Sequence, residues 1–411
     1  MLDFQKFSAD YEQALRRQVL PFWLNHSRDE RCGGYFDLLS ANGAVIEGDK
    51  DVALQAQQTW AFAWLYTTLE PSPNWLDHAR HGGEFLRQFA HDEAGDTFAQ
   101  LDRRGRPVAP ATNLAAAGYV ALAYAQLFYA TGDDAWAARA RRTFGYLLER
   151  HQTLRHEQSA NAGGFRVLRQ LSELAVLFKA ALTIQPLLDE EAGREAVQSL
   201  LDELLHEFVD RRTDTLREAI LTDGAFLNTP AGRRVGVGLT CQTANYVLDY
   251  TAAAGTKRSG SRKLAAQATG WCLDLCERAW DEATGGLNAC VDWKGQPSIF
   301  PDESHRWAWI HAEALSALAK GYAQTSQPDC LTWFRRIHDY TFAHFPDPRH
   351  AGWHVALDRQ RQPLLRAKAV PGVGCYSLIR CLAETAQALK ARAFSPDAPQ
   401  PDRSIRNRPA R

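Results

Sequence analysis

The chain has 411 residues, with 47 lysines and arginines against 48 aspartates and glutamates, so its formal net charge is -1. Apolar residues make up 45% and charged residues 23%, a composition that is ordinary for a globular protein and excludes global disorder and low-complexity classes. Because neither sign of charge is in excess, we expect neither a nucleic-acid-binding protein nor a membrane-surface protein.

The sequence carries no recognisable targeting or membrane signal. The opening residues, MLDFQK, do not form a charged segment followed by an apolar one, and no uncharged apolar run reaches about 18 residues. The eight cysteines are scattered and form no CxxC pair, which is typical of reduced, buried thiols. We therefore expect a cytoplasmic protein without a membrane partner.

In chain order, one turn signature recurs. It begins near residues 29, 92, 281 and 347, where an Asp is followed by Gly and then by an apolar residue, as in DERCGGYF and DEATGGL. The spacing indicates a period of about 60–66 residues and roughly six units, with weaker candidates at 162–165 and 214–218 filling the gap. Paired glycines suit positions where a helix ends and the backbone adopts positive φ.

Between these turns the pattern is helical. Leu114–Ala130 is alanine-rich and almost uncharged, which predicts an inner helix covered on all sides, whereas Ala135–Arg150 has one basic face and predicts an outer helix. Six such pairs can close into an all-α (α/α)6 barrel with short β-hairpins at one end, and an open helical solenoid is the competing architecture. We expect one domain over residues 1–394 and a disordered Pro- and Arg-rich tail over 395–411.

Five segments carry a family resemblance. They are GGYFD at 33–37, LQAQQTW at 54–60, the turn at 280–287, WIHAEAL at 309–315 and KAVPGVGCYSLIR at 368–380. Over about residues 11–389 the chain resembles the N-acylglucosamine 2-epimerase superfamily, which includes cellobiose 2-epimerases and aldose–ketose isomerases. The resemblance implies an (α/α)6 barrel and proton transfer beside a sugar carbonyl through an enediolate, with histidines as the proton carriers.

The positions that the resemblance makes catalytic are replaced in this chain. The family Arg corresponds to Gln57, its first catalytic His to Leu239 and that residue's Glu partner to Gln242, while the second catalytic His corresponds to Ser377. A further family His falls at Gln170, and the family Lys before the Trp-Trp segment at Arg306. Since Leu transfers no proton and Ser needs a neighbouring base, the two-histidine mechanism should not operate here.

One predicted helix keeps groups suited to a sugar. Trp309 and Glu313 are four residues apart and share a face, where an indole can cover C–H groups and a carboxylate can accept hydroxyl protons. Alternatively, Trp309 is a core residue and Glu313 pairs with an Arg of a neighbouring helix. His311 points elsewhere on the helix, and we expect it to be structural.

Other titratable residues remain as candidate bases. His305 and His156 lie near predicted barrel ends, and Glu173 and Glu218 are carboxylates; solvated surface residues and salt bridges are the competing interpretations. We predict His305, Glu313 and Glu173 as catalytic. The predicted substrate-binding residues are Gln57, Trp60, Gln170, Gln242, Trp309, Ser377 and Arg380.

We expect no cofactor. The histidines of 344–354 could suggest a metal site, but they belong to a repeat turn. The leading functional hypothesis is a sugar epimerase or aldose–ketose isomerase with non-standard site residues. Its expected partner is a mono- or disaccharide, and the family resemblance also allows a homodimer. An inactive carbohydrate-binding or regulatory member of the superfamily is the alternative, and a carboxylate-based glycoside hydrolase or lyase is the third hypothesis.

Overall fold

The computed structural model describes residues 3–111, 113–160, 168–222, 224–255 and 259–393, excluding the side chains of 155–160, 259 and 393. The predicted tail over 395–411, the turn candidate at 162–165 and the side chain of His156 therefore lie outside the described residues.

Helices dominate the described chain. They are α1 (Phe4–Ala14), α2 (Leu20–His26), α3 (Val52–Thr68), α4 (Pro73–Phe89), α5 (Ala115–Thr131), α6 (Asp134–Ala160), α7 (Leu171–Ile184), α8 (Glu190–Glu203), α9 (Pro230–Arg233), α10 (Val237–Ala254), α11 (Ser259–Ala279), α12 (Ala308–Thr325), α13 (Pro328–His344) and α14 (Tyr376–Ala393). A π turn joins α1 to α2, and a second follows α8. None of the helices in this described part is long and apolar enough to cross a bilayer.

Helices α3, α5, α7, α10, α12 and α14 form a closed inner ring. Each contacts the next, and α14 contacts α3, while α4, α6, α8, α11 and α13 pack outside their partners and α1 packs on α14. Closure confirms the (α/α)6 barrel and excludes the open solenoid. The inner helix α5 is buried along most of its length, as its Ala-rich sequence predicts, and Gly118 lets it approach Val176 of α7 closely.

Short antiparallel strands collect at one end of the barrel. They are β1 (Leu39–Ser40), β2 (Lys50–Asp51), β3 (Phe98–Leu101), β4 (Pro107–Pro110), β5 (Leu168–Gln170), β6 (Val209–Asp210), β7 (Thr215–Leu216), β8 (Ala219–Leu221), β9 (Arg234–Gly236), β10 (Cys290–Asp292), β11 (Arg306–Trp307), β12 (Ala356–Leu357) and β13 (Ala367–Ala369). The sheets are β1–β13, β2–β3–β4, β5–β8, β6–β7, β9–β10 and β11–β12. A strand precedes each inner helix, so the strands frame the end where the inner helices begin.

The repeated turn signature follows an outer helix each time. Bridges Arg28–Tyr35, His91–Thr97, Trp280–Leu287 and Pro346–Trp353 close the four predicted turns. The paired glycines have positive φ, as predicted, and a Cβ at Gly34 would lie 2.5 Å from Oε1 of Gln55.

In three of the four turns, the first Asp forms an ion pair with a Lys or Arg of a strand that leads towards an inner helix. Asp29 pairs with Lys50 at 3.1 Å, Asp281 with Arg306 at 2.7 Å, and Asp347 with Lys368 at 2.9 Å. These side chains are almost fully buried, so each pair locks a turn to the next repeat. Arg306, which the family alignment places among the site residues, therefore has a structural partner.

A half-buried carboxyl group outside these pairs gives a pH-dependent prediction. Asp37 accepts hydrogen bonds from the Asp51 amide and from Nε2 of Gln55, and burial raises the pKa of Asp37 to about 8. Since the unfolded pKa is about 3.9, the folded state holds this proton more tightly, and that stabilisation is lost as pH rises through the folded pKa. We expect wild type to lose more stability than Asp37→Asn between about pH 6 and about pH 9 in urea unfolding.

The matched control is Asp49→Asn, because Asp49 is exposed in the same segment. It should keep the pH dependence of the wild type. Identical pH dependence of the Asp37 variant and the wild type would contradict the raised pKa.

Candidate functional site

A buried carboxylate lies where the inner helices converge, below the strand-framed end. Glu313 of α12 accepts hydrogen bonds from Nε2 of Gln242 at 3.0 Å, from Nδ2 of Asn245 at 2.9 Å and from the Ser377 hydroxyl at 2.7 Å. Arg380 of α14 donates to both carboxylate oxygens. We call these five residues the Glu313 network.

At the centre of the Glu313 network is a buried ion pair between Glu313 and Arg380. The side chains of Glu313 and Arg380 are both 0% exposed. Burial alone would raise the pKa of Glu313, but the Arg380 charge and the hydrogen bonds hold that pKa below its usual value. The alternative interpretation of Glu313, a carboxylate paired with an Arg of a neighbouring helix, is what the structure shows.

Three tyrosines cover the network from within the ring. The hydroxyls of Tyr246 and Tyr376 are 3.1 Å apart, and the Arg380 guanidinium lies 5.4 Å from each ring centroid. Tyr119 packs edge-on against Tyr376, and Gln57 lies beside Tyr119 and opposes the burial that raises the pKa of Tyr119 to about 12. The structure therefore connects the predicted residue Gln57 to the network through tyrosine.

The predicted aromatic residues also border this region. Trp60 is buried and packs against Tyr376 with centroids 5.1 Å apart. Trp309 is partly exposed and covers Gly238, where a Cβ would lie 2.3 Å from the indole ring. A gap of about 20 Å³ lies beside Trp309 and is also lined by Leu378 and Lys368. Leu239, at the first-histidine position, is half-buried one turn before Gln242.

Two predicted residues lie at the rim and have other contacts. Glu173, in the first turn of α7, accepts a hydrogen bond from the Leu114 amide at 3.4 Å, and burial raises the pKa of Glu173. Gln170 is half-buried and pairs with Ala219 between β5 and β8. Neither has a hydrogen bond to the Glu313 network among the contacts of the described residues.

The remaining candidates lie close to the start of α10 and α12. His305 is half-buried, with its ring centroid 6.3 Å from that of Trp307. Glu218 lies 3.9 Å from Arg234, and burial raises the pKa of Glu218 although the Arg234 charge opposes this. The two candidate bases Glu173 and Glu218, both with raised pKa values, are thus at the amino end of the ring.

His311 is structural, as the sequence predicts. It is fully buried, its Nδ1 donates to the Trp307 carbonyl at 2.8 Å and its Nε2 accepts from the Leu287 amide at 3.0 Å. Burial lowers the pKa of His311 to about 3, so the ring is neutral.

Four functional candidates were missed by the sequence analysis. They are Asn245, Tyr119, Tyr246 and Tyr376. A signal existed for Asn245 and Tyr246, which follow Gln242 by three and four residues and so share its helix face. Within the described residues, no group of three or more His, Cys, Asp and Glu side chains is placed to hold a metal ion.

Comparisons with known proteins agree with this architecture. The profile of the family described as N-acylglucosamine 2-epimerase (GlcNAc 2-epimerase) matches residues 34–379. The N-acylglucosamine 2-epimerase of Mus musculus is 29% identical over 401 residues, covering 94% of this chain and 93% of the relative. Cellobiose 2-epimerase from Bacillus thermoamylovorans superposes with a TM-score of 0.80 at 18% identity, over 93% of this chain and 99% of that one. A D-mannose isomerase superposes with a TM-score of 0.77 at 16% identity, over 93% and 97%.

Proposed function

The chain belongs to the N-acylglucosamine 2-epimerase family, and on that premise we propose that it is a sugar epimerase or aldose–ketose isomerase acting through an enediolate. The observation that carries the proposal is the Glu313 network, which places an arginine, two amides and a hydroxyl at the amino end of a closed ring. Of these donors, Gln242 and Ser377 are 8% and 9% exposed and can bind sugar oxygens, while the charge of the fully buried Arg380 can stabilise negative charge on an enediolate oxygen from behind them. The full-length relative makes an N-acylated hexosamine the first substrate to test.

The proposed reaction needs a base that takes the proton from the carbon beside the sugar carbonyl. Loss of that proton gives an enediolate from a sugar with a hydroxyl at C2, and the corresponding enolate from an N-acylated hexosamine. Its return to the opposite face of the same carbon is epimerisation, and its return to the former carbonyl carbon is isomerisation. Glu313 is a poor candidate for this base because its side chain is fully buried and because Arg380 holds its pKa below the usual value.

We assign the base to Glu173. Burial raises the pKa of this carboxyl towards the working pH, which improves a general base, and its first-turn position puts it at the ring end where the network lies. His305, half-buried in the segment that leads into α12, is the proposed second proton carrier. Ser377 then acts as a hydrogen-bond donor to the network rather than as a base.

Proton exchange tests this assignment. In deuterated water, we expect loss of the C2 proton signal from N-acetylmannosamine, N-acetylglucosamine, mannose, glucose or cellobiose, or of a C1 proton signal from fructose, measured by NMR. Glu173→Gln should reduce that exchange by at least about 100-fold, because a positioned base contributes about 10²–10⁴-fold. His305→Ala should also slow the exchange.

The matched control is Glu190→Gln, because Glu190 occupies the first turn of the outer helix α8 and is exposed. It should retain the exchange rate of the wild type. Equal rates in the Glu173 and Glu190 variants would remove Glu173 from the mechanism while leaving the activity in place.

A second candidate function is carbohydrate binding without turnover. Leu239 and Ser377, which stand where the family resemblance places its two histidines, favour it. This alternative predicts no exchange with any sugar, together with a ligand-dependent rise in melting temperature. A glycoside hydrolase is less well supported, because it needs two carboxylates at the substrate and Glu313, the carboxylate on the helix predicted to bind a sugar, is 0% exposed.

A further inference from the structure

A solvent-open cavity lies at the opposite end of the barrel, where the inner helices finish. It has a volume of about 810 Å³, within the range of about 300–1,000 Å³ typical of small-molecule sites. Its walls come from the middle and last turns of α3, α7, α10, α12 and α14, and the outer helix α8 forms one side. It is therefore separate from the Glu313 network, which lies towards the other end.

Two lysines and two carboxylates that line this cavity contact one another as ion pairs. Lys179 contacts Asp249 at 3.0 Å, and Lys320 contacts both Asp249 at 2.6 Å and Glu384 at 2.7 Å. The Asp249 side chain is 28% exposed, so a carboxylate oriented by two lysines faces the opening. With Arg194 on α8, three cations and two carboxylates line the cavity, so their summed charge is only one positive.

The rest of the lining combines amides with aromatic surface. Gln387 and Gln198 are exposed, and Trp64 and Tyr250 are partly exposed. Trp64 stacks on Trp60 with an interplanar angle of 12°, which fixes its indole plane. Paired charges, amides and a fixed aromatic ring suit a ligand that has many hydroxyl groups and little net charge.

We propose that this cavity is a second ligand site, which binds a neutral mono- or disaccharide separately from the Glu313 network. The nearly balanced charge disfavours polyanions, since they would leave several negative charges unpaired. The proposal does not depend on turnover, because it holds for a catalyst and for a binding protein.

A continuous chain of ion pairs connects the cavity to the Glu313 network. Glu384 binds Arg380 at 2.8 Å on one side and Lys320 on the other, so the contacts run from Asp249 to Glu313. A ligand that engages Asp249 therefore contacts one end of a chain whose other end holds Ser377 and Gln242.

Methyl glycosides test the site independently of catalysis. Without a free anomeric hydroxyl their rings cannot open, so they cannot undergo the proposed epimerisation. We expect methyl α-D-glucopyranoside, methyl α-D-mannopyranoside or methyl N-acetyl-β-D-glucosaminide to bind the full-length protein with a Kd of about 1 mM or tighter, measured by calorimetry. A change in indole fluorescence that is absent in Trp64→Phe should accompany binding.

A matched pair of variants locates the binding. Ala253→Trp places an indole in the cavity and should weaken binding at least about tenfold, whereas Ala252→Trp, on the adjacent exposed residue outside the lining, should not. Melting temperatures of both variants show that they are folded, and Gln387→Ala gives a second perturbation at an exposed position. The proposal is overturned if no glycoside binds, if Ala253→Trp binds as well as wild type, or if inorganic phosphate binds more tightly than every glycoside.

Discussion

Arg380→Met is expected to lower the free energy of unfolding by about 3–5 kcal/mol, the range typical of breaking a buried ion pair from one side. Arg380 and Glu313 are 0% exposed, and Arg380 also binds Glu384, which is 9% exposed. Removing the guanidinium leaves Glu313 with only neutral donors in a dry environment. Guanidinium unfolding followed by circular dichroism, with linear extrapolation, gives the difference.

The control removes an ion pair of the same type from the surface. Arg87 binds Glu84 on α4, and the two side chains are 46% and 56% exposed. Arg87→Met should therefore lower the free energy of unfolding by less than about 1 kcal/mol. If both variants lost the same free energy of unfolding, the buried Glu313–Arg380 pair would stabilise the fold no more than an exposed pair does.

The loss in free energy of unfolding caused by Arg380→Met should also depend on pH. Arg380 helps to lower the folded-state pKa of Glu313, and a lowered carboxyl pKa contributes stability that is present above the unfolded pKa and lost as pH falls through the folded pKa. Without Arg380, Glu313 can protonate at a higher pH and lose its unpaired charge. The difference between wild type and variant should consequently be larger near pH 7 than near about pH 4.5.

Most of the barrel could be predicted from the sequence because its determinants are local. The uncharged Ala-rich run becomes α5, and the Asp-to-Gly turns close after outer helices at the four strongest predicted positions. These features depend on helical periodicity and on positive φ at glycine, both of which are encoded within a few residues.

The contacts of the site could not be predicted in the same way. Glu313 and Arg380 are 67 residues apart, and only closure of the ring brings α12 and α14 together. The sequence alone is therefore compatible with both interpretations of Glu313, a sugar ligand and the partner of an Arg on a neighbouring helix. The contact of Glu173 with Leu114 could not be predicted either, because it depends on which inner helix lies beside α7.

The sequence does contain a signal for the charged residues of the second cavity. Lys179 and Lys320 are isolated charges in the otherwise apolar or small-residue runs LAVLFKAAL and LSALAKGYA. A charge in a helix that is covered on all sides requires a partner, since burying it unpaired is strongly unfavourable. Such residues predict ion pairs across the ring, although the identity of Asp249 as their shared partner required the structure.

Restoring imidazole at the two positions that the family resemblance makes catalytic is expected to increase C2 proton exchange. The double variant Leu239→His/Ser377→His should exchange at least about 100-fold faster than wild type, because a positioned general acid or base contributes about 10²–10⁴-fold. Leu239 lies one helical turn from Gln242, and both Gln242 and Ser377 bind Oε1 of Glu313, so the two new side chains should face the same region. Loss of the hydrogen bond from Ser377 to Glu313 should destabilise the fold by only about 1 kcal/mol.

The pH profile identifies the source of any gain. In a His305→Ala background, which removes the imidazole proposed for the wild type, exchange by the double variant should show an ionisation near the ordinary imidazole pKa of about 6.5. The control is Leu264→His, because Leu264 is similarly half-buried but belongs to the outer helix α11. A folded double variant that is no faster than this control would show that a sugar carbonyl does not reach the amino end of the ring, which would contradict the proposed epimerase site itself.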